Sequence, residues 1–597
     1  MCGFAGEVTC GRPADVAAVE RMAERLARRG PDGQGGWSAG RVALAHRRLK
    51  VIDLSERAAQ PLIDPHLGLA VVFNGCVYNY RALREELESE GFSFFSTSDS
   101  EVIAKAYHCW GPRCVERFAG MFAFAVVERD SGRVTLARDR LGIKPLYLAD
   151  VGGDGEERAL RFASTLPALL AGGGVDTSLD PVALHHYFSW HAVVPAPRTV
   201  LNGVRKLPPA TVMTIEPDGR RSQETYWDPP FARSPRHETM DEGDWSDAVL
   251  EALRVAVDRR MVADVPVGVL LSGGLDSSLI VALLAEAGQR DLRTFSIGFE
   301  HGAGVDGDEF RYSDLVAQRY GTDHRRWRVG GDDVLAALDE AVAAMSEPMT
   351  SHDAIAFYLL SREVSGAGCK VVQSGQGADE VFAGYSWYPP LAQAPGLGDD
   401  AYAAEFTDRD AEELADLLMP GRLPLGDPSR RFVAEQFARP AADEPLDRAL
   451  RLDTQVMLVD DPVKRVDNMT MAWGLEARTP FLDHELVELA AACPPSLKLA
   501  HGGKGVLKQA ARGIVPDEVI DRPKGYFPVP AISHLEGEPL ERVREALHSE
   551  RARERGLYRP QHVAALLADP VDARTPIGSS KLWQVGLLEL WLQGQGL

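Results

Sequence analysis

The stretch from Val265 to Leu279, VPVGVLLSGGLDSSL, constrains this chain more than any other. Five of its first seven residues are Val or Leu. So short an apolar run reads as a strand buried on both faces of a parallel sheet. Ser272, Gly273, Gly274, Leu275, Asp276, Ser277 and Ser278 follow, and then LIVALLAEAG, an apolar helical run ending at Gly288. Strand, Gly-rich turn and helix together offer bare backbone N–H groups and a positive dipole end to an anion. Two adjacent glycines let the backbone approach a phosphate, and the serines add hydroxyl donors. No GxxxxGK[ST] is present, so this is not a Walker A loop.

The motif resembles the pyrophosphate loop of ATP pyrophosphatases, which adenylate a substrate and release pyrophosphate. By that resemblance Leu271, Ser272, Gly273, Gly274, Asp276 and Ser277 bind ATP. LRTFSIGFE (292–300) reads as a second strand, whose Ile297 would shape the adenine side of the pocket. Asp306, Asp308 and Glu309 precede a helix over about 311–320, HRRWRV (324–329) is a third strand, and two helical runs follow. CKVVQSGQGADEVFAGY (369–385) repeats the theme, with Ser374, Gly375 and Gln376 between strand and helix. Alternating strands and helices predict a doubly wound parallel sheet, with ligands at the strands' carboxyl ends. Asp276 and Asp379 are a pair able to share Mg²⁺, which favours one or two carboxylates plus phosphate oxygens. The alternative for Asp379 and Glu380 is a pair of acids favoured by the helix dipole.

A chain of 597 residues implies more than one domain. Its net charge of -22 argues against nucleic acid or an anionic membrane as partner and suits small-molecule substrates. No apolar run is long enough for a transmembrane helix, and MCGFAGEVTC has no signal-peptide pattern. The cysteines, at 2, 10, 76, 109, 114, 369 and 493, are odd in number and form no CxxC pair. That fits a reducing cytoplasm rather than a disulfide framework or zinc site.

A small residue after the initiator Met permits its removal, leaving Cys2 with a free α-amine as its own base. ARRGPDG (27–33) is a turn carrying Arg29 and Asp32, and LAHRRLKVIDLSERAAQPL (44–62) places Arg48 before a β-like stretch. LAVVFNGCVYNY (69–80) is a strand leading into Asn74-Gly75, and TSDSEVI (97–103) carries Asp99 and Glu101. GMFAFAVVERDSGRVTLARDRLGIKPLYL (120–148) reads as three strands with Arg138, Asp139 and Arg140 between the last two.

These segments resemble the glutaminase domain of class II glutamine amidotransferases, the N-terminal nucleophile type. The resemblance makes Cys2 the nucleophile, Asn74 and Gly75 the oxyanion hole, Arg48 the holder of the glutamine α-carboxylate and Asp99 the receiver of its α-ammonium. The family's usual Asn-Gly-Glu is here Asn-Gly-Cys, with Cys76 in place of an acid that helps hold the ammonium.

VKRVDNMTMAWGLEARTPFLDHELVELAA (463–491) resembles the asparagine synthetase signature and carries Arg465, Asp467, Glu476, Arg478 and Asp483. Asp467 and Glu476 read as structural ion pairs. Lys524, in RPKGYFPVP (522–530), is either a cation near the transferred phosphate or intermediate, or a solvated loop lysine. The whole chain resembles the glutamine-hydrolysing asparagine synthetase family. The expected fold is an α+β glutaminase domain of stacked antiparallel sheets (2–200), a connecting segment and linker (201–244), and an α/β synthetase domain with a helical C-terminal part (245–597). The implied reaction frees ammonia from glutamine and uses it on a carboxylate adenylated by ATP. A homodimer is one assembly the resemblance allows. Asparagine synthetases have Ser-Gly-Glu-Gly in the second loop, where this chain has Gln376. NGCVYNY, FSWHAVVPAPRTVL and VVQSGQGADEVFAGY resemble the N-acetylglutaminylglutamine amidotransferase branch, so the expected acceptor is an acetylated glutamine dipeptide, with aspartate as runner-up.

Overall fold

The structure is a computed structural model. It describes residues 2–153, 155–299, 309–351, 353–523, 525 and 535–597. The N-terminal half is built on two antiparallel sheets. The first orders β10-β8-β9-β1-β3-β2, from β1 (Gly3–Thr9), β2 (Gly33–Ala39), β3 (Val42–Arg48), β8 (Tyr147–Val151), β9 (Ala159–Ala163) and β10 (Arg205–Lys206). The second orders β12-β11-β7-β6-β5-β4, from β4 (Leu62–Asp64), β5 (Leu69–Val77), β6 (Gly120–Glu128), β7 (Val134–Arg138), β11 (Thr211–Ile215) and β12 (Arg221–Thr225).

Phe4, Val8 and Leu44 of one sheet meet Val72, Ala123 and Leu136 of the other in a shared core. Helices α1 (Val16–Arg25), α4 (Leu166–Gly172) and α5 (Pro181–Ser189) cover the first sheet, and α2 (Tyr80–Ser89) and α3 (Asp99–Trp110) the second. Strands apolar on both faces require this four-layer arrangement.

Three sequence expectations change here. Asn74-Gly75 does not end its strand: β5 runs through to Val77, and Gly75 pairs with Phe122 of β6. A Cβ at Gly75 would lie 2.0 Å from the Met121 carbonyl oxygen, so glycine is what lets the two backbones approach. Residues read as the connecting segment also carry β10, β11 and β12, which pair within the two sheets. The Pro-rich, then acidic stretch 229–245, expected as the linker, holds the short α6 (Pro235–Glu238) and the start of α7 (Glu242–Arg259). Asp241 caps α7 by accepting from the Asp244 N–H at 2.9 Å, so those acids begin a helix.

The C-terminal half holds a parallel sheet, order β15-β14-β13-β16-β17. Its strands are β13 (Val267–Leu270), β14 (Arg293–Phe299), β15 (Asp323–Val329), β16 (Val371–Gln373) and β17 (Glu476–Arg478). Helix α8 (Leu275–Glu286) is buried along nearly its whole length, as its apolar sequence demands. Helices α9 (Phe310–Tyr320), α10 (Gly331–Ala344) and α11 (Asp353–Gly366) make the crossovers. Strand order reverses between β13 and β16, and crevices in open α/β sheets lie at such a point. Further helices follow, ending in Lys581–Gly594, whose Trp583, Leu587 and Trp591 are buried. Among the described residues no helix is long and apolar enough to cross a membrane.

Candidate active sites

Cys2 immediately precedes β1 and is nearly buried, at 8 % exposure. Its N–H donates to Asn74 Oδ1 at 3.0 Å. The Asn74 amide nitrogen is fully buried and has no hydrogen-bond partner among the described residues. A buried donor without a partner is costly to keep, so one on a residue bonded to Cys2 is an observation about chemistry. Burial pushes the Cys2 thiol above its ordinary value, outweighing the pull of the Leu49 carbonyl contact and Arg48.

Arg48, Gly75, Cys76 and Asp99 line the same cavity as Cys2. Arg48 donates to the carbonyls of Ser55, at 2.8 Å, and of Asp53, which fixes its guanidinium. Asp99 begins α3 and accepts from the Val77 N–H at 3.1 Å. Burial is the main cause that pushes its carboxyl up to about 6, with Glu476 adding to it. The cavity is narrow, about 30 Å³, room for a water, so an amino acid would have to widen it.

Two walls of this cavity come from the other half of the chain: Glu476 and Arg478, on β17. Arg478 Nε donates to Glu476 Oε1 at 2.6 Å, and Nη2 reaches Cys76 Sγ at 3.8 Å. The expected ion pair is present, but its place in the cavity is not what the sequence reading foresaw. Asp467 ties the halves in a second way. It accepts from Arg29 Nη1 at 2.8 Å and Lys144 Nζ at 3.2 Å, and Arg29 Nε in turn donates to the Cys2 carbonyl at 3.3 Å.

A second cavity, about 550 Å³, lies at the carboxyl ends of β13 and β16. Leu271, Ser272, Gly274, Asp276, Ser277, Ile297, Ser374, Gly375, Gln376 and Asp379 all line it. Gly273 instead packs behind the loop at φ +78°, where a Cβ would lie 2.8 Å from the Ser313 nitrogen. The loops touch: a Cβ on Gly375 would lie 2.9 Å from the Asp276 Cβ. The hydroxyls of Ser272 and Ser277 are 3.0 Å apart, and the Ser272 N–H donates to Ser277 Oγ at 3.1 Å.

Asp276 and Asp379 do face each other, and Lys504 bridges them. Its Nζ is 2.7 Å from Asp276 Oδ2 and 2.9 Å from Asp379 Oδ1. Burial would lower the ammonium's pKa, but the two carboxylates outweigh it and raise it. Lys504 also holds a left-handed backbone, φ +55°, the kind of strain that concentrates at functional positions. Sequence reading missed it; the signal was a lysine set among glycines, HGGKG (501–505), before a helix. Arg465 lines this cavity and pairs with Asp461 at 3.0 Å, and Asp483 pairs with Arg259 and Arg260. Lys524, Asp306 and Asp308 lie outside the described residues. Among the described residues no cluster of three or more His, Cys, Asp or Glu is set to hold a metal.

Family models match each half of the chain. Residues 248–593 match the asparagine synthase family model, and residues 1–227 match a glutamine amidotransferase domain. Asparagine synthetase [glutamine-hydrolyzing] 1 of Bacillus subtilis is 30% identical, covering 99% of this chain and 96% of its own length. Asparagine synthetase [glutamine-hydrolyzing] 3 of the same organism is 30% identical over 88% and 87%. Amidase chry2 of Gibberella zeae is 27% identical over 86% and 85%. With an antiparallel glutaminase-type half in front of a parallel, helix-covered half, this chain belongs to the asparagine synthase family, as a glutamine-hydrolysing amidotransferase and carbon–nitrogen ligase.

Proposed function

We propose that Cys2 frees ammonia from glutamine and that the cavity at β13 and β16 spends it on a carboxylate activated by ATP, the acceptor being an acetylated glutamine dipeptide. The single observation that carries the first half is the buried Asn74 amide beside Cys2, without a hydrogen-bond partner among the described residues. The Cys2 thiolate attacks the glutamine side-chain carbonyl, and the α-amine takes the thiol proton. Asn74 Nδ2 donates to the oxygen as it becomes negative. Collapse expels ammonia and leaves a thioester, which water hydrolyses to glutamate and the free thiol. Arg48 would receive the substrate's α-carboxylate and Asp99 its α-ammonium.

In the second cavity an acceptor carboxylate oxygen attacks the ATP α-phosphorus and pyrophosphate leaves. Ammonia then attacks the acyl carbon and AMP departs with the bonding pair. Ser272, Gly274, Ser277, Ser374 and Gly375 offer hydroxyl and N–H donors to phosphate, and Ile297 an apolar wall to the base. The facing carboxylates suit Mg²⁺ in donor type: Asp276 and Asp379 would hold it together with phosphate oxygens. Bound there, it would neutralise charge as pyrophosphate forms. Lys504 would then be released towards the phosphates or the developing acyl-adenylate.

For passage of ammonia between the sites, one apolar cluster contains residues of both cavities, Cys76 of the first and Leu271 and Leu275 of the second, together with Met121, Leu141 and Ile143. For the acceptor, a neutral Gln376 on the cavity wall favours an acceptor other than aspartate, since an amide cannot take a proton as a carboxylate does. Aspartate is the second reading, favoured by the relatives named as asparagine synthetases. The test is AMP release with ATP and glutamine, comparing aspartate with the acetylated dipeptide. Turnover with aspartate alone would overturn the acceptor. A Cys2→Ala variant should lose glutamine-supported turnover and keep turnover supplied with ammonium salt.

A further inference from the structure

Free glutamine brings two charges into a buried cavity, and each needs a partner there. The α-carboxylate has Arg48. The α-ammonium needs an anion, and the described lining offers two carboxylates, Asp99 and Glu476. Cys76, between them and the cation Arg478, is a neutral thiol whose pKa burial pushes up. Asp99 already accepts the Val77 N–H, and burial brings its carboxyl up to about 6. Glu476, by contrast, is held in a charge-assisted pair with Arg478, whose Nε donates to Glu476 Oε1 at 2.6 Å.

Its placement follows from strand geometry. Glu476 and Arg478 stand two apart on β17 and so share one face, the one towards β5 of the other half. Arg478 is anchored by the carbonyls of Arg260 and Val262 at 2.7 and 2.8 Å, and its Nε in turn orients the Glu476 carboxylate. A pair that served only to join the halves has no need to wall a cavity containing the nucleophile.

We propose that Glu476, carried on the synthetase half, completes the glutamine pocket and receives the substrate's α-ammonium there together with Asp99. The proposal rests on the glutaminase reading above. Glutamine recognition is then split across the two halves, and the pocket is incomplete unless they are docked.

The test compares full-length enzyme on glutamine and on glutaramate, which lacks only the amino group. The wild type should prefer glutamine strongly. Glu476→Gln should reduce that preference roughly 10–100-fold, the worth of one charge-assisted hydrogen bond, mainly through KM for glutamine. Adding Cys76→Glu to Glu476→Gln should restore much of it, because an acid at 76 again stands beside Arg478. Turnover supplied with ammonium salt reports that each variant is folded. An unchanged preference in Glu476→Gln, or equal losses on both substrates, would make Glu476 an interface tie and overturn the proposal. If that variant does not fold, the test passes to Glu476→Asp, which must weaken glutamine and leave glutaramate alone. A wild type that hydrolyses no glutamine would instead sink the glutaminase reading itself.

Discussion

Lys504 does at the scale of one residue what no sequence motif announced. Two carboxylates close enough to share one ammonium would repel each other without it. Its Nζ, on the wall of the cavity that both loops line, is a positive charge available once phosphates arrive. Lys504→Met should therefore cut ATP–pyrophosphate exchange by about 100-fold, in the range seen when one stabilising donor is lost from a transition state. Glutamine hydrolysis should persist. Exchange at wild-type rate in this variant would show that the lysine only pairs the acids. Asp99 teaches a related lesson: its type and position were legible in the sequence, whereas its elevated carboxyl is a product of burial that no sequence displays.

At the scale of elements, the strand–loop–helix at 265–279 was legible because apolar run, glycines and helix each point the same way. The same holds for β16 and its loop. Asn74-Gly75 was misplaced because Asn-Gly is a strong turn signal, and the competing reason, close contact with β6, is tertiary. That contact makes a sharp prediction. Gly75→Ala should destabilise the protein by about 3 kcal/mol or more, since the added methyl cannot coexist with the Met121 carbonyl. It should also abolish glutamine hydrolysis by shifting Asn74. Thermal unfolding and a glutaminase assay check it; a variant of wild-type stability would refute the packing argument. β10 to β12 escaped the sequence reading because they are short and follow a Pro-rich stretch, which punctuates a chain without ending a domain.

Across the whole molecule, buried ions knit the halves together. Asp467 holds Arg29 and Lys144, and Lys206 meets Asp460 at 2.7 Å and Glu347 at 3.2 Å. Desolvated pairs of this kind are weak sources of net stability but costly to break on one side, about 3–5 kcal/mol. Asp467→Asn should lower the unfolding temperature. It should also loosen the Arg29 grip on the Cys2 carbonyl, so that glutamine is hydrolysed without amide being made. The readout is glutamate formed per AMP released, expected to rise above that of the wild type. A ratio that stays fixed while stability falls would mean the network is structural alone.

The sequence by itself determined the two chemistries and the local frames that present them. A cysteine behind the initiator, an Asn-Gly further on, and two Gly-Ser loops after buried strands are facts of order along the chain; short-range physics reads the loops, and family resemblance reads the first two. Only the tertiary structure decided that β17 carries Glu476 into the cavity of Cys2, that Lys504 stands between Asp276 and Asp379, and that Asp467 reaches Arg29. These contacts join residues hundreds of positions apart. Charge pairing across such distances is set by how sheets dock, and docking depends on the summed shape of both halves rather than on any local pattern.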